Sequence, residues 1–269
     1  MSDDTLSLPT RVAQAIPGGN EFFGFRVETE LTDEDALWRG LLLSIGAGPK
    51  SFAHLAIVRR LAGCNLVADP RIWPLKITRV VSSYGSVLPA LCAGNVFLEN
   101  ARVGPLTANA AAAFLAEMVQ FFDGRQDTGP LEVELSRRMN SGERIAGYGV
   151  AFRPNDERVQ VIDRIVAEEH RDEGRHWQCS KAIETILGKR RHLPRNVVSA
   201  SAAVLLDCGF SPRQIGLLMW YYFAPTFFAN AVEGAAQAPE ILRNLPLSAV
   251  DYVGPPPRVS PAASGDAKP

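Results

Sequence analysis

Residues 144–158 read RIAGYGVAFRPNDER, and this stretch says more about the fold than any other part of the chain. Gly147 and Gly149 flank Tyr148, and glycine permits backbone conformations and close approaches that other residues resist. An acidic residue and an arginine follow at Asp156 and Arg158. On its own the Gly-Tyr-Gly triplet predicts only a turn, and no strand pattern precedes it to support a dinucleotide-binding fold.

The segments on both sides of this stretch have helical periodicity. Helix starts are marked by caps, such as Ser211 followed by Pro212, and by the alanine-rich run after Thr107. Only residues 25–31 alternate as a strand would, and weakly. The sequence therefore predicts an all-α fold. The predicted helices are 36–45, 75–97, 107–122, 156–170, 175–187, 196–206 and 211–233.

Composition excludes several classes of protein. The 28 basic and 29 acidic residues give a net charge of −1, which argues against a nucleic-acid partner. The acidic N-terminus does not resemble a signal peptide, and the most apolar run, residues 217–228, is too short to cross a membrane. Four isolated cysteines are typical of reduced core residues. We therefore expect a cytoplasmic protein with no membrane partner.

Six further motifs occur in a fixed order along the chain. They are Leu66-Val67-Ala68-Asp69, Arg79-Val80-Val81-Ser82-Ser83, Val103-Gly104-Pro105-Leu106, Leu193-Pro194-Arg195-Asn196-Val197, Phe223-Ala224-Pro225-Thr226 to Asn230, and Tyr252-Val253-Gly254 with Arg258. Together with residues 144–158 they resemble the citrate synthase superfamily, and most of all its short citryl-CoA lyase-like members, from about residue 37 to residue 258. The resemblance implies an all-α fold that binds coenzyme A thioesters.

The residues that perform catalysis in this family are replaced here. The family uses a carboxylate base and two histidines, and the matching positions hold Val198, Val150 and Thr107. A valine can neither take up a proton nor polarise a carbonyl, and a threonine hydroxyl is no base at neutral pH. Because losing one positioned acid or base costs ~100- to 10,000-fold in rate, ordinary citrate synthesis or citryl-CoA cleavage is not expected.

Several binding groups of the family remain by resemblance. Arg158 and Arg258 match carboxylate-binding arginines, and Arg153 stands where a coenzyme A phosphate binds, whereas Phe223 replaces a third arginine. The resemblance also implies contacts with the adenine ring from Ala146, Gly147, Tyr148 and Gly149. Thr107, Asn109 and Asn230 are the candidate catalytic polar groups. Val150, Val198 and Phe223 would line the substrate site.

Plainer interpretations stand beside these. Arg158 and Arg258 could be solvated or salt-bridged surface residues, and Thr107 could be a helix cap. His176 and Cys179 are three apart on a predicted helix, where a packed or solvated face is a simpler interpretation than a metal site. His54 fits a hydrogen-bonded core or interface histidine. We therefore expect no bound metal and no tightly bound cofactor.

The resemblance also implies an architecture and leaves three functions open. A large domain would comprise residues 1–106 and 200–269, a small domain residues 107–199, and a homodimer would bring a C-terminal arm to its partner. The first function is a diverged lyase or acyltransferase that binds a coenzyme A thioester or related carboxylate and forms or cleaves a carbon–carbon bond. The second is a pseudoenzyme, either a ligand sensor or a subunit of an active paralogue. A scaffold with a filled pocket is a third.

Overall fold

The computed structural model describes residues 9–66, 72–100, 104–123, 127–150 and 154–239, with positions 248, 251, 253 and 254. Helices dominate this part of the chain, which confirms the predicted all-α class. The strands are β1 (Ala13–Ile16), β2 (Gly19–Phe22) and β3 (Phe25–Arg26). The helices are α1 (Val27–Glu30), α2 (Ala36–Ser44), α3 (Leu55–Cys64), α4 (Trp73–Ser83), α5 (Val87–Asn100), α6 (Pro105–Met118), α7 (Gly129–Asn140), α8 (Glu157–Glu168), α9 (Arg175–Arg191), α10 (Val197–Asp207) and α11 (Pro212–Ala235), with 3-10 turns at Pro49–His54 and Val119–Phe121.

The N-terminal strands form a small antiparallel sheet in the order β1-β2-β3. The predicted strand over 25–31 is wrong beyond Arg26, because the chain turns into α1, where Glu30 accepts a hydrogen bond from the Arg26 backbone N–H at 2.7 Å. The first two strands were not predicted. Their two-residue turn, Pro17-Gly18, has Gly18 at φ 77°, the geometry that a Pro-Gly pair favours. The Pro17-Gly18 dipeptide was the sequence signal that could have predicted this hairpin.

The predicted helix over 75–97 is two helices, α4 and α5. The break falls at residues 84–86, and Pro89 lies in the first turn of α5. A proline ring inside a continuous helix would clash with the carbonyl four residues earlier, here that of Gly85, and would remove one backbone hydrogen bond. Proline is tolerated in a first turn, so the chain ends one helix and starts another.

Helix α11 crosses the centre of the fold. It contacts α4, α5 and α6, while α10 contacts α6, α8 and α9. The buried hydroxyl of Tyr222 donates to the carbonyl oxygen of Val58 at 3.0 Å, which ties α11 to α3. Contrary to the expectation from residues 217–228, α11 is long and apolar enough to span a membrane. Core helices pass the same test, and one side of α11 is buried against its neighbours.

Close contact between α11 and α4 depends on Gly234. A Cβ atom at this position would collide with the backbone carbonyl oxygen of Arg79 and would lie 3.0 Å from its Cα. Gly188 in α9 is different, because a Cβ atom there would have no heavy atom within 4 Å. Substituting alanine at each of the two positions therefore distinguishes the cost of a steric clash from the effect of helix propensity.

We expect Gly234→Ala to lower the free energy of unfolding by about 1–3 kcal/mol, because the backbones of α4 and α11 must move apart. Gly188→Ala should leave stability unchanged or raise it by up to about 1 kcal/mol, because alanine favours helix without a clash. Chemical denaturation of both variants measures the difference. Equal behaviour of the two would contradict the close contact.

Candidate functional site

The glycine loop, residues 146–150, lies where α6 and α10 meet. Gly147 is buried at φ 87°, and a Cβ atom there would be 2.7 Å from the Cβ of Ser199 and 3.2 Å from that of Ala111. Gly149 is half-buried at φ 86°. Both positions therefore require glycine, one for its contacts and both for their left-handed conformation.

A short backbone pairing joins the glycine loop to residues 194–196. Tyr148 and Arg195 form an isolated antiparallel bridge. The Gly149 N–H donates to the carbonyl oxygen of Pro194 at 2.7 Å, and the Asn196 N–H donates to that of Gly147 at 3.1 Å. The loop is thus fixed to the segment that leads into α10. Two of the motifs in the sequence are in direct contact.

Asn196 links this pairing to a helix start. Its side-chain oxygen accepts hydrogen bonds from the N–H groups of Val198 and Ser199, which caps α10. Its side-chain nitrogen donates to the carbonyl oxygen of Gly149 at 3.0 Å. One carboxamide therefore both starts α10 and holds the glycine loop.

Asp156 has a parallel role at the start of α8. One carboxylate oxygen accepts from the Arg158 backbone N–H, and the other accepts from the Val197 N–H of α10 at 2.9 Å. The Arg158 side chain contributes two more hydrogen bonds, from Nε at 2.7 Å and from Nη2 at 2.9 Å. Burial alone would raise the pKa of Asp156, but these donors hold it below its usual range. The salt-bridged alternative for Arg158 is therefore the arrangement observed.

Arg195 is buried behind the loop, and its side chain is only 1% exposed. The guanidinium donates to Asp163 of α8 at 2.7 Å and to the hydroxyl of Ser180 of α9 at 3.1 Å. It also pairs with Glu184 at 3.4 Å, and it stacks on the ring of Trp177, 4.4 Å from the ring centre. The Tyr148 hydroxyl donates to the backbone carbonyl of the same Ser180, and burial raises the pKa of Tyr148. No motif in the sequence predicts this network.

The three candidate catalytic residues do not converge within the chain. Thr107 is half-buried one helical turn before Ala111, which faces Gly147; the N-cap of α6 is Gly104 and not Thr107. Asn109 lies two residues further on, toward the opposite side of α6, against Gly216 of α11. Asn230 is fourteen residues beyond Gly216, about 20 Å along the helix, and donates to the carbonyl of Thr226 in its own helix.

The apolar replacements occupy three different environments. Val198 is buried in the main core cluster, and Val150 is half-buried at the end of the glycine loop. Phe223 packs against both the main cluster and a smaller one formed by Leu75, Leu98 and Phe227. Arg153 and Arg258, predicted to bind phosphate and carboxylate, lie outside the described residues, as do residues 67–69 of the first motif.

Two of the four histidines, His54 and His176, have structural partners. His54 lies 3.2 Å from Arg171 and stacks edge-on against Phe210; burial, and then the charge of Arg171, lower its pKa. His176 contacts Asp207 at 2.7 Å, and Asp207 also accepts from the Trp177 N–H at the start of α9. Among the described residues, no group of three or more His, Cys, Asp or Glu side chains could hold a metal ion.

The lowered pKa of Asp156 predicts a pH dependence of stability. Its carboxylate binds a proton less readily in the folded state than in the unfolded state, so its contribution is present above about pH 4 and is lost as pH falls. As pH falls from about 5 to about 3, the free energy of unfolding of Asp156→Asn should decrease less than that of the original protein. At neutral pH the same variant should be about 1–3 kcal/mol less stable. Asp123→Asn, a change at an exposed aspartate, is the control; if both variants track the original protein, this account of Asp156 is wrong.

Sequence comparisons identify no relatives. No family model matches the chain, and no curated protein matches it. Comparison with solved structures does identify proteins of similar fold. Citryl-CoA lyase from Hydrogenobacter thermophilus superposes with a TM-score of 0.73 at 20% identity, over 95% of this chain and 98% of that one.

Two further structures agree. ATP citrate lyase from Methanothrix soehngenii, in complex with citrate and coenzyme A, gives a TM-score of 0.72 at 15% identity over 93% of this chain and 42% of that one. Citrate synthase from Thermotoga maritima gives 0.59 at 16% identity, over 81% and 57%. The resemblance predicted from the motifs is confirmed at the level of the fold: the chain has the all-α fold of citryl-CoA lyases and citrate synthases.

Proposed function

We propose that this protein binds a coenzyme A thioester or a related carboxylate at the glycine loop and forms or cleaves a carbon–carbon bond on a substrate other than citrate. The observation that carries the proposal is the fixed glycine loop: Gly147 and Gly149 keep a left-handed backbone that Asn196 and Arg195 hold in place. Two solved structures of the same fold contain coenzyme A or its carboxymethyl derivative. The ligand is a substrate and not a resident cofactor.

The half-buried residues of the loop are those that a ligand could reach. They are Ala146, Gly149 and Val150, whereas the Tyr148 side chain is buried. The inward polar groups of Gly147 and Gly149 are already used by residues 194–196. Adenine recognition would therefore come from the outer edge of the loop, with Arg153 and Arg258 supplying charge from outside the described residues. Arg158 would bind a carboxylate only by sharing its guanidinium with Asp156.

A catalytically inactive ligand-binding subunit is the second candidate. The position of Val198 favours it, because this side chain belongs to the core and has no group that could act as a base. The separation of Thr107, Asn109 and Asn230 points the same way. Turnover in the first candidate would need an acid or base from a partner subunit or from outside the described residues. The proposed division into residues 1–106 with 200–269 and residues 107–199 accompanies both candidates.

Binding and turnover can be tested together. Calorimetry with acetyl-CoA and coenzyme A should show binding, and Val150→Glu should weaken it at least about tenfold, because the new carboxylate repels the ligand phosphates. Val133→Glu, the same change at a 71% exposed position on α7, is the matched control. Mass spectrometry should detect neither citrate synthesis nor citryl-CoA cleavage.

The outcomes separate the candidates. Conversion of any other acyl-CoA supports the diverged enzyme, and binding of thioesters across a panel without conversion supports the inactive subunit. Absence of binding by any coenzyme A thioester overturns both.

A second copy of this chain is the proposed partner, as the resemblance implies. Helices α5 and α11 lie side by side, joined by a hydrogen bond of 2.9 Å from Trp220 to Asn95. Both helices expose large apolar side chains, and exposed apolar surface is typical of protein interfaces. The side chains of this apolar face are Leu88, Val96, Phe97, Leu217, Trp220, Phe228 and Val232. The four free cysteines fit a reducing cytoplasmic setting.

Light scattering on the purified chain should give the mass of a dimer. Val96→Glu places a charge in the apolar face and should raise the dimer dissociation constant at least about tenfold, whereas Val133→Glu should not. Exposed Cys92 lies one turn from Val96 and should react faster with a thiol reagent in the Val96→Glu variant. A monomeric original protein overturns the homodimer and favours a paralogous subunit at the same face.

A further inference from the structure

A groove of about 290 Å³ lies between α7 and α9, away from the glycine loop. Its floor is apolar and is formed by Phe122, Ala182 and Ile186. Its walls carry hydroxyl, amide and charged groups. These are Thr128, Glu132, Gln178, Lys181, Thr185, Lys189 and Arg190. The volume is near the lower end of the ~300–1,000 Å³ typical of small-molecule sites.

The charge in this α7–α9 groove is predominantly positive. Among the described residues that line it, three are cations, Lys181, Lys189 and Arg190, and one is a carboxylate, Glu132. The Arg190 guanidinium donates to the Glu132 carboxylate at 2.6 Å and also donates to the Ser136 hydroxyl. Neither lysine has an ion-pair partner within the part of the chain that the structure describes. Two ammonium groups therefore flank an apolar floor, and the Glu132 carboxylate in the described lining is already paired with Arg190.

Helix α9 separates the groove from the Arg195 network. Residues 178, 181, 182, 185, 186 and 189 follow helical spacing along one face and line the groove. Trp177, Ser180 and Glu184 lie on the opposite face and contact Arg195. The groove is thus a separate feature, on a different face of α9 from the residues that hold the glycine loop.

We propose that the α7–α9 groove binds a small organic anion with an apolar body, a carboxylate or a phosphate ester attached to one ring or a short chain. The anion would pair with Lys181 and Lys189, and the apolar body would cover Ala182 and Ile186. Burial of the apolar part strengthens the charge pairing, because it removes water from the ammonium groups. A protein partner is a poorer fit, since stable protein interfaces bury far more surface than this groove offers.

The test uses the full chain and phenyl phosphate as the probe, with binding followed by calorimetry. Inorganic phosphate supplies the charge alone and benzyl alcohol the ring alone. Phenyl phosphate should bind at least about tenfold more tightly than either. The double variant Lys181→Gln with Lys189→Gln should weaken it at least about tenfold. Lys50→Gln with Lys76→Gln, two exposed lysines outside the groove, is the matched control and should bind as the original protein does.

Each alternative outcome has a defined meaning. No binding of phenyl phosphate to the original protein overturns the proposal, and so does binding that the groove variant leaves unchanged. Equal binding of inorganic phosphate overturns the requirement for an apolar body. Comparing the affinity of benzoate with that of phenyl phosphate shows whether the groove prefers a carboxylate or a phosphate ester. Because no coenzyme A is present, failure here is distinguishable from failure of the proposed function.

Discussion

The buried guanidinium of Arg195 is the constraint on which the glycine loop and its surrounding helices depend. It is surrounded by Asp163 of α8 and by Ser180, Glu184 and the ring of Trp177 of α9, so two helices surround one desolvated charge. Removing a partner from such a buried network leaves uncompensated charge, which is far more costly than losing an exposed ion pair. Because Arg195 also pairs through its backbone with Tyr148, the position of the loop follows from the packing of α8 and α9.

Most of the fold could be predicted from local chemistry. Ser211 and Pro212 start α11 through a complete capping box with Gln214, and Asn196 caps α10, as their positions before apolar runs indicate. The break at Pro89 had a visible signal too. The strands β1 and β2 are short and contain no buried residue, and they lack the alternation that identifies a half-buried strand.

The candidate site was less predictable. Motif order identified the glycine loop and residues 193–197 as parts of one resemblance, but it did not predict that the two segments pair. It gave no information on Arg195, since the burial of an arginine depends on partners such as Asp163 and Glu184 that are distant in sequence. Nor could spacing show that Asn109 of α6 lies against Gly216, about 20 Å along α11 from Asn230. Convergence of side chains is a property of tertiary packing, whereas motifs report only backbone similarity.

The two faces of α9 have a thermodynamic consequence. One face holds the Arg195 network and the hydroxyl of Tyr148, and the other borders the α7–α9 groove. If occupancy of the groove shifts this helix, it must also change the free energy of the loop contacts, and by linkage a ligand at the loop must then change affinity in the groove by the same factor. A ligand bound on one side of this seventeen-residue helix would then change the binding affinity on the other side.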